Sequence, residues 1–132
     1  SAYALEAPYR DLRSAARHRL ALYLPAPADD IASAGMRLWA RVLLPVDVDT
    51  LSPLDDVRDI SPGVPIVFLS GAQDVHAPES EVEEIARAAR GEIELVRFEG
   101  VPHVPLHECD PARYEDALSR LFARVEARHG ER

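Results

Sequence analysis

Lysine and asparagine are absent from this 132-residue chain, and all 15 of its basic residues are arginine. Such a bias reflects coding composition and carries no mechanism by itself. Cysteine is nearly missing as well. The lone Cys109 excludes an internal disulfide framework and a cysteine-only metal cluster, and it fits a reducing compartment, so a cytoplasmic location is expected. No basic segment leads into an apolar one, and no run approaches the roughly 20 apolar residues that cross a bilayer. Neither an export signal nor a membrane partner is expected. Positive charge is in deficit too: the net charge is −8, and the arginines are interleaved with acids. A phosphate backbone needs clustered cations, so no nucleic-acid partner is expected. Internal repeats and low-complexity tracts are also lacking.

What remains is the composition of an ordinary folded protein, 47% hydrophobic and 29% charged, long enough for one domain with a core. Tyr3 to Ala7 is a short, mostly apolar run stopped by Pro8 and reads as a strand. From Asp11 to Tyr23, the residues Leu12, Ala15, Ala16, Leu20 and Tyr23 recur at helical spacing, with Asp11 placed to cap and Pro25 and Pro27 beyond the end. Asp29 or Asp30 opens a second helical segment in which Ile31, Ala34, Leu38, Val42 and Leu43 keep the period up to Pro45. Residues 45 to 63 hold three prolines and a glycine among five aspartates, which predicts loop with one short helical turn near Leu54 to Val57.

Val64 to Leu69 is a continuous β-branched and aromatic run, the pattern of a strand buried on both faces of a parallel sheet, with Pro65 tolerable only at its start. Pro78 and the acids Glu79, Glu81, Glu83 and Glu84 suit a helix N-terminus. Arg87 and Arg90 before Gly91 suit its far end, the glycine acting as a stop. Ile93 to Phe98 alternates more and predicts a strand nearer a sheet edge. Gly100 then opens a loop. Asp110 as N-cap and Pro111 at the first helical position begin a last helix, expected to bury Tyr114, Ala117, Leu118, Leu121, Phe122 and Val125 before Gly130.

Strand, two helices, strand, helix, strand, helix is an order that predicts an α/β fold in three layers around a parallel sheet with right-handed crossovers. Ligands bind such sheets outside the carboxyl ends of the strands. Glu6, Asp74 and His103 all end or follow strands on that side. Asp74 comes after a buried strand and a glycine turn, a position that also suits a turn former or helix cap. His103 lies between Pro102 and Pro105, which hold the loop stiff enough to aim an imidazole. A lone loop histidine is as readily a surface residue, but the pair is more informative. A neutral histidine works as a general base when one nitrogen is held protonated by a partner, and a buried carboxylate does that well. His76, two residues after Asp74, is a candidate substrate contact or an exposed loop histidine. His103 and His107, followed by Glu108, Cys109 and Asp110, raise the question of a metal. The prolines deny them the helix that a four-residue spacing normally uses, so no metal site is expected.

Three stretches together resemble the serine α/β-hydrolases. VPIVFLSGAQDVHAP is similar to their acid strand, IELVRFEGVPHVPLHECDPARY to their final strand, histidine loop and last helix, and AYALEAPYRDLRSAARHRL to the strand after the nucleophile helix, leading into a cap. The resemblance spans essentially the whole chain, in the right order, and points to the esterase and serine-peptidase-like branch. It implies that the chain carries the last three strands of such a sheet, with residues 11–50 as a helical cap. It implies Asp74 and His103 as members of a Ser-Asp-His triad in the family's chain order. Further, it implies a small-molecule or peptide substrate cleaved at an ester, thioester or amide bond, a cap lining that includes Trp39, and no cofactor.

The G-x-S-x-G nucleophile elbow and the HGGG-type oxyanion loop are missing. Ser14 and Ser33 fall inside predicted helices, and Ser1 and Ser70 lack an elbow, so none replaces it. The nucleophile is therefore expected outside the chain, before Ser1, and the chain is expected to be a C-terminal portion that pairs, through its first strand, with an N-terminal half or a partner chain. The alternative is a non-catalytic α/β binding or assembly module that uses the same exposed edge strand.

Overall fold

Three parallel strands, β1 (Tyr3–Glu6), β2 (Pro65–Gly71) and β3 (Glu92–Phe98), form a sheet in the order β1-β2-β3. The structure is a computed structural model that describes residues 1–45 and 47–130, the side chain of Asp49 excepted. Every residue of β2 is buried, as an unbroken apolar run requires when helices cover both faces of its sheet. Register pairs Leu5 with Phe68 and Phe68 with Leu95, and it ends by setting Gly71 opposite Phe98.

Alternation along β2 divides its side chains between two cores. On one face Val67 and Leu69 join Val96 and Phe98 beneath Leu106 of α5 (Leu106–Cys109) and Ala117 and Leu121 of α6 (Pro111–Gly130). On the other, Ile66 and Phe68 meet Val82 and Ile85 of α4 (Glu79–Ala88) and Val57, just after α3 (Pro53–Asp56). Helices on both faces of a parallel sheet make the three-layer α/β architecture that the order of elements predicts.

The remaining two helices, α1 (Leu12–Ala21) and α2 (Ala28–Leu43), follow β1 and pack on each other, forming the cap segment. Asp11 caps α1 as expected: its carboxylate accepts from the Ser14 amide at 2.7 Å, and its own amide donates to the Ser14 hydroxyl at 3.4 Å. The second helix differs from expectation. Its N-cap is Pro27 rather than Asp29 or Asp30, and the residues it buries are Asp29 and Ser33. The apolar stripe of Ile31, Leu38, Trp39, Val42 and Leu43 points to solvent, with Ile31 70% and Trp39 65% exposed. The period is helical as predicted, but its apolar side faces away from the helices described here.

Other differences have local causes. Helix α4 stops at Ala88 because Ala89 is already extended, so Gly91 does not end it. A Cβ at Gly91 would lie 2.3 Å from the Val64 carbonyl oxygen, and the glycine lets the start of β3 close onto β2. Phe122 is 62% exposed because it sits five residues, about 140° of helix, from Ala117, off the buried stripe. The short α5 turn, which begins directly after Pro105, is an addition to the predicted elements.

Candidate active site

Asp74 and His103 come together beyond the carboxyl ends of β2 and β3. Asp74 follows β2 by three residues, and its side chain is only 2% exposed. Its two oxygens do separate work. Oδ1 accepts the backbone N–H of His76 at 2.8 Å and of Ala77 at 2.9 Å, closing an Asx-type turn. Oδ2 lies 2.7 Å from Nδ1 of His103, which donates to it because a carboxylate oxygen can only accept. Asp74 thus closes the turn with one oxygen and meets the histidine with the other. It does not cap α4, whose N-cap is Pro78.

The histidine loop is tied down at both ends. Near its start, the Gln73 amide donates to the Val101 carbonyl at 3.0 Å, which fastens this loop to the acid loop. Gly71 permits that approach. It is both the last residue of β2 and the first of the turn, its carbonyl accepting the Asp74 amide at 3.2 Å, and a Cβ there would fall 2.4 Å from the Val101 oxygen and 3.1 Å from the Pro102 oxygen. At the far end, Glu6 at the tip of β1 accepts the Leu106 amide through Oε1 and the Tyr114 hydroxyl through Oε2, each at 3.0 Å. Glu6 therefore converges on the site as an anchor of the His103 loop. Burial, with the facing Glu6 carboxylate, holds the Tyr114 hydroxyl above the usual phenol range.

With Nδ1 occupied, His103 keeps Nε2 for other partners, and its side chain is 44% exposed. It opens onto a cavity of about 360 Å³ lined by Glu6, Ala7, His103, Val104 and Pro105. Ala7 has a φ of 42°, in the left-handed region that costs an L-residue energy, and its amide donates to the Leu69 carbonyl at 2.8 Å. Backbone strain thus lies directly on the cavity wall.

His76 joins the site. Its ring centroid lies 4.8 Å from that of His103, the planes inclined at 63°. Burial lowers the His76 imidazole from its ordinary range, and the neighbouring charges of Arg19, His103 and His18 act in the same direction. Trp39 is not among the residues lining the His103 cavity; it stands on the outward face of α2. His107 turns away to Glu115, at 3.5 Å, and stacks edge-on against Tyr114. No cluster of three or more potential metal ligands occurs among the described residues.

A larger cleft, about 780 Å³, lies beside α1 rather than at the histidine, with a mainly polar lining that includes Arg10, Ser14, His18 and Glu81. Glu81 is the residue sequence reasoning missed. It accepts the Arg10 amide at 3.2 Å and the Ser14 hydroxyl at 3.1 Å, with His18 Nε2 3.8 Å away, latching α1 to the helix that follows the acid loop. In sequence it is one acid among four at the start of α4, and partners about 70 residues distant leave no local signal.

No protein-family model matches the chain, and no curated protein matches it. Among solved structures it is similar to the crystal structure of BpoC from Mycobacterium tuberculosis H37Rv, described as a candidate non-heme bromoperoxidase. The TM-score is 0.54 at 20% identity, over 92% of this chain and 57% of that one. That protein has an α/β-hydrolase fold, and the likeness establishes the fold of this chain as an α/β three-layer arrangement with a helical cap. The chain spans little more than half the length of that structure. No helix among the described residues is long and apolar enough to cross a membrane.

Proposed function

We propose that this chain supplies the acid and the histidine of a Ser-Asp-His triad, Asp74 and His103, in a hydrolase of esters, thioesters or amides whose nucleophile lies outside it. The observation that carries the reading is the 2.7 Å contact between a buried carboxylate and Nδ1 of a half-exposed histidine. Asp74 holds the ring in the tautomer with its proton on Nδ1 and stabilises the imidazolium that forms. Nε2 then takes a proton from an incoming serine hydroxyl and returns it to the leaving group. This chemistry requires no cofactor.

The cap geometry and the free edge support a partner. Three of the four residues of β1 are exposed, and the apolar face of α2 is uncovered among the described residues. A parallel edge strand with unpaired backbone groups is a natural site for another strand, here from an N-terminal half or a partner chain that brings the serine. The same edge would serve a non-catalytic assembly module, and the two readings part on activity.

The test is hydrolysis of p-nitrophenyl acetate. The chain alone is expected to turn over no more than its His103→Ala variant. Mixed with a polypeptide that carries a G-x-S-x-G elbow and pairs with β1, it is expected to gain turnover that His103→Ala or Asp74→Asn abolishes. His103-dependent turnover by the isolated chain would show that the nucleophile has been misplaced.

A further inference from the structure

We propose that His76 is a positioning residue for His103: its ring packs edge-on against the His103 imidazole and keeps that ring in the orientation that leaves Nδ1 on Asp74. The inference rests on the pairing of Asp74 with His103 and adds a third member that touches both. Through its amide, His76 closes the turn that fixes Asp74 Oδ1. Through its ring, it lies 4.8 Å from His103 at 63°, within the range of favourable T-shaped contacts.

A carboxylate hydrogen bond fixes one nitrogen of an imidazole but leaves the ring free to swing about that bond. A second ring against its side removes this freedom. The role needs His76 to be neutral, because a cation would repel the imidazolium that His103 becomes and would compete for Asp74. The structure meets that need. Nδ1 of His76 is buried without a hydrogen-bond partner among the described residues, so a doubly protonated ring would bury an unsatisfied charged donor. The neutral tautomer, with its hydrogen on Nε2 and a bare lone pair on Nδ1, avoids that. The charged and titratable groups around it, Arg19 and His18 from α1 with His103 on the next loop, add to burial in opposing a further positive charge, while Asp74 acts the other way.

The experiment is nitrogen-15 NMR of the isolated chain, following the His103 ring by long-range proton–nitrogen correlation across a pH series. Wild type is expected to show a single His103 tautomer, protonated on Nδ1, with a low-field Nδ1–H resonance slow to exchange. His76→Leu fills the same space without a ring and is expected to lose that resonance and mix the two tautomers. His76→Phe restores the ring edge without a titratable group and is expected to recover both. Should His76→Leu leave the resonance and tautomer as in wild type while Asp74→Asn removes them, the positioning role falls and the pair stands. Failure of His76→Phe to recover them also overturns it. Should Asp74→Asn itself change nothing, the pairing reading falls first, and the two failures are distinct.

Discussion

The sheet and the cap obey opposite rules. Around β2 the residues taken from water are Ile66, Val67, Phe68, Leu69, Val82 and Ile85, and each hydrophobic pattern points inward. In α2 the buried residues are Asp29 and Ser33, while Ile31, Leu38, Trp39 and Val42 face water. Helix α2 is as amphipathic as α4, whose apolar side is buried against the sheet. Periodicity says that a helix has an apolar side; it does not say that the side is covered by the same chain. An exposed stripe of this kind is the surface on which the proposed partner would pack.

That contrast sets the scale of substitution effects. Phe68→Ala removes a fully buried ring from the sheet core and is expected to cost about 3–5 kcal/mol in urea denaturation. Trp39→Ala, an equally drastic change in size on the outward face of α2, is expected to stay within about 0.5 kcal/mol in the isolated chain. A comparable loss for Trp39 would mean that the stripe is already packed in solution and would erase the distinction.

A second substitution probes how the sheet positions the site. Gly71→Ala forces a methyl group onto the Val101 carbonyl, and overpacking of this kind costs about 1–3 kcal/mol. The strain falls on the backbone that carries His103, so the low-field Nδ1–H resonance is expected to be lost even in the fraction that stays folded. Its survival would show that the two loops adjust independently.

A modest effect is expected at the start of α1. Asp11→Ala removes the capping box of α1 and is expected to cost about 1 kcal/mol near neutral pH. Burial alone would raise the Asp11 carboxyl, but the Ser14 amide and the Arg10 guanidinium outweigh it and hold the group below its ordinary value. A lowered folded value means stability that is complete above the unfolded pKa and disappears as pH falls through the folded one. Wild type and Asp11→Ala are therefore expected to converge in strongly acid solution, as urea midpoints across a pH series would reveal.

The fold was legible because its signals are local. The unbroken run of β2, the Asp11 cap and the Asp110-Pro111 start of α6, where Asp110 accepts the Arg113 amide at 3.0 Å, all depend on neighbours within a few residues. The parallel direction of the strands then followed from alternation. At the site, the proximity of Asp74 and His103 was accessible because both stand at strand ends on the same side of a parallel sheet. Other features were not legible. Glu81 and Glu6 act on residues about 70 and 100 positions away. The closeness that demands Gly71 is to a carbonyl 30 residues on, and the residue letter gives no hint of it. The direction of the α2 stripe depends on what surrounds the helix, which no periodicity encodes.

One rung of the sheet has a longer reach than its size suggests. Gly71 and Phe98 face each other at the last pairing of β2 with β3, and the Ala72 amide continues the ladder to the Phe98 carbonyl at 2.9 Å. Asp74 stands three residues beyond that rung and His103 five. Their meeting is thus a matter of two short arms hung from a common crossbar, independent of the lengths of α4 and α6. Only the far end of the longer arm reaches back to another strand, where Glu6 of β1 holds the Leu106 amide and the Tyr114 hydroxyl.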